Sequence, residues 1–335
     1  MTTDEIKKEV TVPVIDFKPF LEGTAEGKEN VGKKMIGAMR DIGFMYIINH
    51  GIPQSDQKRM LEWSASFFKL PDDKKMLCEH PKDGAHHRGW SAIGMEKVVQ
   101  MVFDRAKISE LRQHPDVKES FDSGNENNKE CFNIWPRDED IPGFREFCNY
   151  YFKVCETTAD RLLRALALGL NLDENYLLKH HEESNNQLRL LCYPPTLEKN
   201  LREGKTERIA AHTDFGTLTM LLQDDCGGLQ VEKPSNPGVF IDAPVIPGSL
   251  VINTGDFLMR WSNDQLKSTF HRVTAPPVDS RTGISKIRYS IPYFVSADRH
   301  KVIDALPGTF SEQNPKKYEP ITSGEYLAKR LNATY

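Results

Sequence analysis

The chain has 335 residues, 39% of them hydrophobic and 27% charged, and its 44 Lys and Arg against 48 Asp and Glu leave a formal net charge of −4. That length allows one large domain or two ordinary ones, and composition near the globular average excludes a disordered, collagenous or low-complexity protein. The mild acidity gives no electrostatic reason to bind nucleic acid or an acidic membrane, and the longest apolar run, residues 162–170, is short and broken by Arg164.

In chain order, the first residues lack the apolar core of a signal peptide, and residues 12–17 read as a short apolar strand. A helical pattern follows at 33–42, a buried strand at 43–51 and a second helix at 55–68. Residues 122–130 are polar and rich in Gly and Asn, which predicts a surface loop. Apolar residues then recur at Phe144, Phe147, Tyr151, Val154, Thr158, Leu162, Ala165 and Gly169; gaps of three and four predict one long amphipathic helix, with Arg145, Lys153, Glu156 and Arg164 on its wet face. Pro194-Pro195 and the charged run 198–208 form a break. Beyond it come short β-rich runs at 218–222, 229–232, 239–241, 249–253, 269–274 and 287–295, separated by Gly, Pro and Asp turns. Residues 323–331 look helical and suit either a cap on the mouth of the barrel or a contact surface, between which the sequence does not decide.

This order predicts a mainly β protein with α: a jelly-roll core flanked by N-terminal helices and one long central helix. Residues 1–120 would form a mixed region packed on a core of residues 121–335, the two making one compact unit. Six cysteines at 78, 131, 148, 155, 192 and 226 show no CxxC spacing, so zinc ribbons and thioredoxin-type motifs are excluded. The reading is six reduced, mostly buried thiols in a soluble, cytoplasmic protein with no nucleic-acid or membrane partner.

Ten histidines and 48 acidic residues produce about one or two His-x-Asp/Glu matches by chance, and the chain holds four. His114-Pro-Asp116 lies in a Pro-containing polar loop, and the matches at His180 and His181 lie in a charged segment; both settings suit solvated side chains. His212-Thr-Asp214 instead stands at the entrance to the expected sheet, where residues i and i+2 of an extended chain share a face and can chelate one ion. His271, in a run of alternating type, is available as a third ligand, although taken alone it reads better as an ordinary strand histidine. Two imidazoles and one carboxylate on one side of an ion leave the opposite positions open, as in non-haem Fe(II) oxygenases. Arg288 and Ser290 likewise share a face of an apolar strand, and an inward Arg there calls for a carboxylate or a structural ion pair. Arg260-Trp-Ser262 has the same spacing, but only Arg288 lies in an apolar strand after the second histidine.

Across nearly its whole length the sequence resembles the 2-oxoglutarate/Fe(II)-dependent dioxygenases of the isopenicillin N synthase-like group. The resemblance is carried by Pro13-Val-Ile-Asp-Phe17, Gly43-Phe44, Asn49-His-Gly-Ile52, Phe67-Phe68, Leu70-Pro71 and Arg88-Gly-Trp90 in the first half. In the second half it is carried by Leu191-Cys-Tyr-Pro-Pro195, His212-Thr-Asp214, Gly227-Gly-Leu-Gln-Val231, Asn253-Thr-Gly-Asp256, residues 268–273 and Arg288-Tyr-Ser290. It implies a distorted double-stranded β-helix that holds Fe(II) through His212, Asp214 and His271. Arg288 and Ser290 would then bind the distal carboxylate of 2-oxoglutarate, with Tyr193 reaching the same co-substrate. Leu191 departs from the Asn of many relatives, and the interval from His271 to Arg288 holds an extra turn at 279–283.

The activity implied is oxidation of a C–H bond of a small organic molecule with O2, releasing succinate and carbon dioxide, and an Asp at position 214 argues against a halogenase. The segment Arg88-Gly-Trp-Ser-Ala-Ile-Gly94 with Glu96-Lys-Val98 looks most like fungal members that tailor secondary metabolites by hydroxylation, desaturation, ring closure or ring expansion. By family position the substrate-facing candidates are Arg189, Phe215, Met101, Phe103, Phe257 and Phe294, and an Arg189 facing the site would favour an anionic or carbonyl-bearing substrate. A monomer is expected. The competing readings are an Fe(II) oxidase that needs no 2-oxoglutarate and, from another class, a catalytically silent jelly roll used for binding.

Overall fold

The computed structural model describes residues 12–81, 87–95, 116–275 and 281–331. Two sheets face each other. One has eight strands in the order β1 (Val14–Asp16), β2 (Phe44–Ile48), β10 (Leu250–Thr254), β7 (Leu218–Gln223), β12 (Arg288–Val295), β5 (Gln187–Tyr193), β4 (Glu119–Gly124) and β3 (Gly89–Ser91). The other has four, in the order β6 (Ile209–His212), β11 (His271–Val273), β8 (Leu229–Lys233) and β9 (Asn236–Asp242). Every pairing is antiparallel except β1 with β2. This is the expected jelly roll.

Strand parity sorts the large sheet into two faces. Met45, Ile47, Leu188, Leu190, Cys192, Met220, Leu222, Leu250, Ile252, Ile291, Tyr293 and Val295 belong to the apolar core shared with the helices. Their alternates Phe44, Tyr46, Leu191, Tyr193 and Val251 belong to a second cluster with Ile209, Leu229, Val231 and Val273 of the small sheet. The same parity turns Arg288, Ser290 and Asn253 toward the space between the sheets.

Helices α1 (Ala25–Asp41), α2 (Gln54–Phe68) and α3 (Phe144–Gly169) cover the outer face of the large sheet. The predicted stripe of α3 is buried at Phe144, Phe147, Tyr151, Thr158, Leu162 and Ala165. Helices α1 and α3 cross at two glycines: a Cβ on Gly32 would fall 2.5 Å from the Ala165 carbonyl oxygen, and one on Gly169 would fall 2.3 Å from that of Gly32. Among the described residues no helix is long and apolar enough to cross a membrane.

Several expectations change. The first helix starts at Ala25, eight residues before its apolar pattern, because Thr24 caps it by accepting from the Gly27 N–H. The predicted loop at 122–130 begins inside β4, where Asp122, Ser123 and Gly124 are buried and pair with β5. Polar residues there satisfy one another across the sheet, which a hydropathy pattern does not reveal. The break at 198–208 contains a short helix, Glu198–Arg202, and ends on the fully buried Arg208, which donates to Ser285 Oγ and to the Lys286 carbonyl. His181 is buried rather than solvated: its Nδ1 lies 2.7 Å from the Leu177 carbonyl oxygen and its Nε2 lies 2.9 Å from Thr217 Oγ1. His114, Met101, Phe103 and the first two residues of the 279–283 turn lie outside the described residues.

Candidate active site

His212 ends β6, His271 opens β11, and the two are register partners in one ladder. Their rings stand 4.2 Å apart, centroid to centroid. Asp214 follows in the turn out of β6, with Oδ1 3.8 Å from His212 Nε2 and 3.7 Å from His271 Nε2. Among the described residues these three form a group whose ligand atoms all lie within 4.8 Å of one another, and all three are buried.

The outer atoms of the triad are occupied. His212 Nδ1 lies 2.8 Å from the Ala210 carbonyl oxygen and His271 Nδ1 lies 3.3 Å from that of Thr269. A carbonyl can only accept, so each Nδ1 carries the proton and each Nε2 lone pair points inward. Asp214 Oδ2 accepts from Thr219 Oγ1 at 2.6 Å and from Asn253 Nδ2 at 2.7 Å, which leaves Oδ1 for an ion. Burial pushes the His212 imidazolium down to about 3, so the ring is neutral and free to ligate at neutral pH. Burial opposes charge on Asp214 as well, but the two imidazoles and the bonds from Asn253 and Thr219 outweigh it and hold the carboxyl below its usual range. Donor atoms up to about 4.2 Å apart can share one ion at bond lengths near 2.1 Å. Two neutral imidazoles and one carboxylate form a donor set that fits Fe(II).

A second feature lies along β12. The Arg288 side chain is fully buried, its Nε donates to the Gly227 carbonyl at 2.9 Å, and its Nη2 donates to Gln223 Oε1 at 3.3 Å. Nη1 is buried with no partner. A guanidinium held this way costs several kcal/mol unless an anion meets it, so the geometry fits a carboxylate. Tyr193, opposite Arg288 in register, places its ring 5.1 Å from the guanidinium, and burial pushes its phenol up to about 12, so the hydroxyl remains a donor. Ser290 is buried on the same face.

The triad, Arg288, Ser290 and Tyr193 line one cavity of about 180 Å³. Arg189, Phe215 and Phe294 line it too. Arg189 is not an unmatched cation, because it forms a two-pronged pair with Asp122, Nε to Oδ1 at 2.7 Å and Nη2 to Oδ2 at 2.8 Å. Phe257 is placed elsewhere: it is 1% exposed and packs against Trp261 and Tyr326 in the core. Beyond the short helix α4 (Asp256–Trp261), Leu327 of the C-terminal helix α5 (Ser323–Leu331) forms part of the cavity wall. Arg330 pairs with Asp256 and lies 4.4 Å from the Phe215 ring.

Sequence reasoning missed Thr219, Asn253, Gln187, Leu327 and Arg88 as lining residues. Asn253 was legible in principle, as an amide alternating with the core residues Leu250 and Ile252 on an otherwise apolar strand. Arg88 stands in the Arg88-Gly-Trp90 element of the resemblance and Leu327 in the helix suited to cap the barrel mouth, but neither pattern says that the side chain itself lines the cavity.

Comparison with known proteins agrees with the geometry. Residues 12–138 match the family model for the non-haem dioxygenase in morphine synthesis N-terminal region, and residues 184–297 match that of the 2OG-Fe(II) oxygenase superfamily. A 2-oxoglutarate-dependent dioxygenase of Dothideomycetidae sp. is 35% identical, with 97% of this chain and 98% of that protein covered. A proline hydroxylase of Petromyces alliaceus is 36% identical, with 96% and 98% covered. Among solved structures, a full-length Neurospora crassa protein in complex with alpha-KG and thymine superposes with a TM-score of 0.88 at 39% identity, covering 98% of this chain and 99% of that one.

Proposed function

Because this chain belongs to the 2OG-Fe(II) oxygenase superfamily, we propose that it hydroxylates a C–H bond of a small organic molecule of secondary metabolism, with His212, Asp214 and His271 as its iron ligands. The enzyme is a 2-oxoglutarate-dependent oxygenase with Fe(II) as cofactor. The observation that carries the residue assignment is the convergence of two Nε2 atoms and one Oδ1 while each outer atom of the triad is already bonded.

When bound, Fe(II) and 2-oxoglutarate together activate O2, with succinate and carbon dioxide as by-products. The chain's own residues prepare that chemistry. The carbonyls of Ala210 and Thr269 set both histidine tautomers, and Thr219 with Asn253 fixes which Asp214 oxygen faces the ion. Arg288 meets the distal carboxylate of the co-substrate through its free Nη1, with the Ser290 and Tyr193 hydroxyls beside it. Phe215, Phe294, Leu191 and Leu229 line the remaining wall with apolar surface that keeps water from the reacting carbon.

A monomer is proposed, since one chain supplies all the site residues. A cytoplasmic location is proposed from the six unpaired thiols, which suit a reducing compartment. The test is an anaerobic visible spectrum of the purified protein with Fe(II), then with 2-oxoglutarate. A weak charge-transfer band requiring both is expected; iron binding without a band on adding 2-oxoglutarate would favour an oxidase that uses the Arg288 face for its substrate.

A further inference from the structure

The cavity is lined by four arginines, Arg88, Arg189, Arg288 and Arg299, while Asp214 is the acidic residue among its described lining. Arg288 is matched by the co-substrate carboxylate in the reading above, Arg189 is matched by Asp122, and Arg299 is exposed to water. Arg88 is left. It is 5% exposed, its Nη1 donates to the His87 carbonyl at 2.6 Å, and its Nε is buried without a partner. Among the described residues Asp122 is the carboxylate whose charge reaches Arg88, and it already accepts from both Arg189 and Gln187. A buried guanidinium and a partly exposed one thus lie within the field of one carboxylate, which is hydrogen-bonded to the second.

The chain makes room for this arrangement. A Cβ on Gly124 would fall 2.1 Å from Arg88 Nη2, so the guanidinium occupies the place that any other residue at 124 would fill. Register fixes where that place lies. Gly124 pairs with Gln187, Gln187 with Phe294 and Phe294 with Thr219, which puts all four on one row across β4, β5, β12 and β7. Thr219 holds the Asp214 carboxylate. The Arg88 end of the cavity is therefore three strand spacings, about 14 Å, from the metal-ligand end, with Phe294 and Gln187 between.

We propose that the substrate is a small carboxylic acid whose carboxylate seats on Arg88 while its reacting carbon lies at the metal end of that row. The proposal rests on the oxygenase reading of the cavity and narrows its substrate class. It also moves the anion-binding role expected of Arg189 to Arg88, because a buried guanidinium without a hydrogen-bonded counter-ion of its own is costly and a substrate carboxylate removes that cost.

The test uses the full-length protein loaded with Mn(II) and saturating 2-oxoglutarate, so that Arg288 is already filled. Thermal unfolding is followed while acetate or benzoate is titrated, against acetamide and benzamide as neutral isosteres. The acids should raise the midpoint saturably and the amides should not. Arg88→Met should weaken the acid effect at least tenfold, and Gly124→Ala, which keeps the charge but displaces the guanidinium, should weaken it as well. Asp122→Asn, which removes the competing carboxylate, should strengthen it. Equal effects of acid and amide, no acid effect, or an acid effect unchanged by Arg88→Met and Gly124→Ala would each overturn the proposal. The Fe(II)/2-oxoglutarate band of the same preparations reads the oxygenase assignment separately, so loss of the band and loss of acid binding are distinguishable.

Discussion

His271 stands opposite His212 in a single antiparallel ladder, although 58 positions separate them in the chain. The pairing brings two imidazoles to one point with no local sequence signal joining them, and Asp214 reaches both from the adjoining turn. What holds the point in shape is the set of bonds behind it, and these can be tested one at a time.

Thr219→Val and Asn253→Ala each free one side of Asp214 Oδ2 without touching a ligand. Each should weaken Fe(II) binding by about 10- to 100-fold, the usual effect of removing a group that orients a metal ligand. Asp214→Ala should abolish binding outright. Anaerobic iron titration checks both, and wild-type affinity in Asp214→Ala would remove that residue from the metal site.

Arg288→Ala should raise the 2-oxoglutarate requirement steeply. Removing one partner of a buried charge pair costs about 2–5 kcal/mol, which corresponds to a factor of about 30 or more in affinity. Iron binding without 2-oxoglutarate should be unaffected. The comparison to make is the apparent KM for 2-oxoglutarate in succinate release, and an unaltered value would place the co-substrate elsewhere.

His181 should make folding stability depend on pH. Burial pushes its pKa down to about 4 in the folded chain, while the unfolded chain titrates near the ordinary 6.5. Above 6.5 its contribution is full. Between 6.5 and 4 the unfolded state alone gains the proton, so stability falls as pH falls, by about 3 kcal/mol in all, and levels off below 4. His181→Gln should be less stable at pH 7 but lose less stability on acidification. Superimposable pH profiles of the two unfolding midpoints would contradict this.

Arg330 ties the C-terminal helix to the turn that carries Asp214, one of the three proposed iron ligands. Its partner Asp256 also accepts from Thr213 Oγ1, and the Asp256 N–H donates to the Asp214 carbonyl. Arg330→Ala leaves a buried carboxylate without its cation and should cost about 3–5 kcal/mol of stability, read as a lower urea midpoint. Loss of Arg330 from over Phe215 should also raise the substrate KM more than it lowers kcat. A midpoint within error of wild type would show that α5 docks through Leu327 and its neighbours alone.

The amino-acid sequence by itself determined the layered architecture, since period-two and period-three-to-four patterns are local: the stripe of α3, the short strands after Pro195 and the His-x-Asp pair at the sheet entrance all follow from side chains close in the chain. It also carried the family resemblance, through motifs spread from Pro13 to Ser290. Only the tertiary structure decided which charged residues face the cavity and which are already matched. Asp122 was read as part of a polar loop, yet it is fully buried on β4 and claims Arg189 from the neighbouring strand. Phe257 looked suited to a pocket and is core, while Arg88 and Leu327 reach the cavity from a strand edge and from the last helix. The physical reason is that chain-local periodicity specifies which face a residue occupies, whereas charge compensation is a property of neighbours brought together by strand register, and register is set by the packing of the whole sheet.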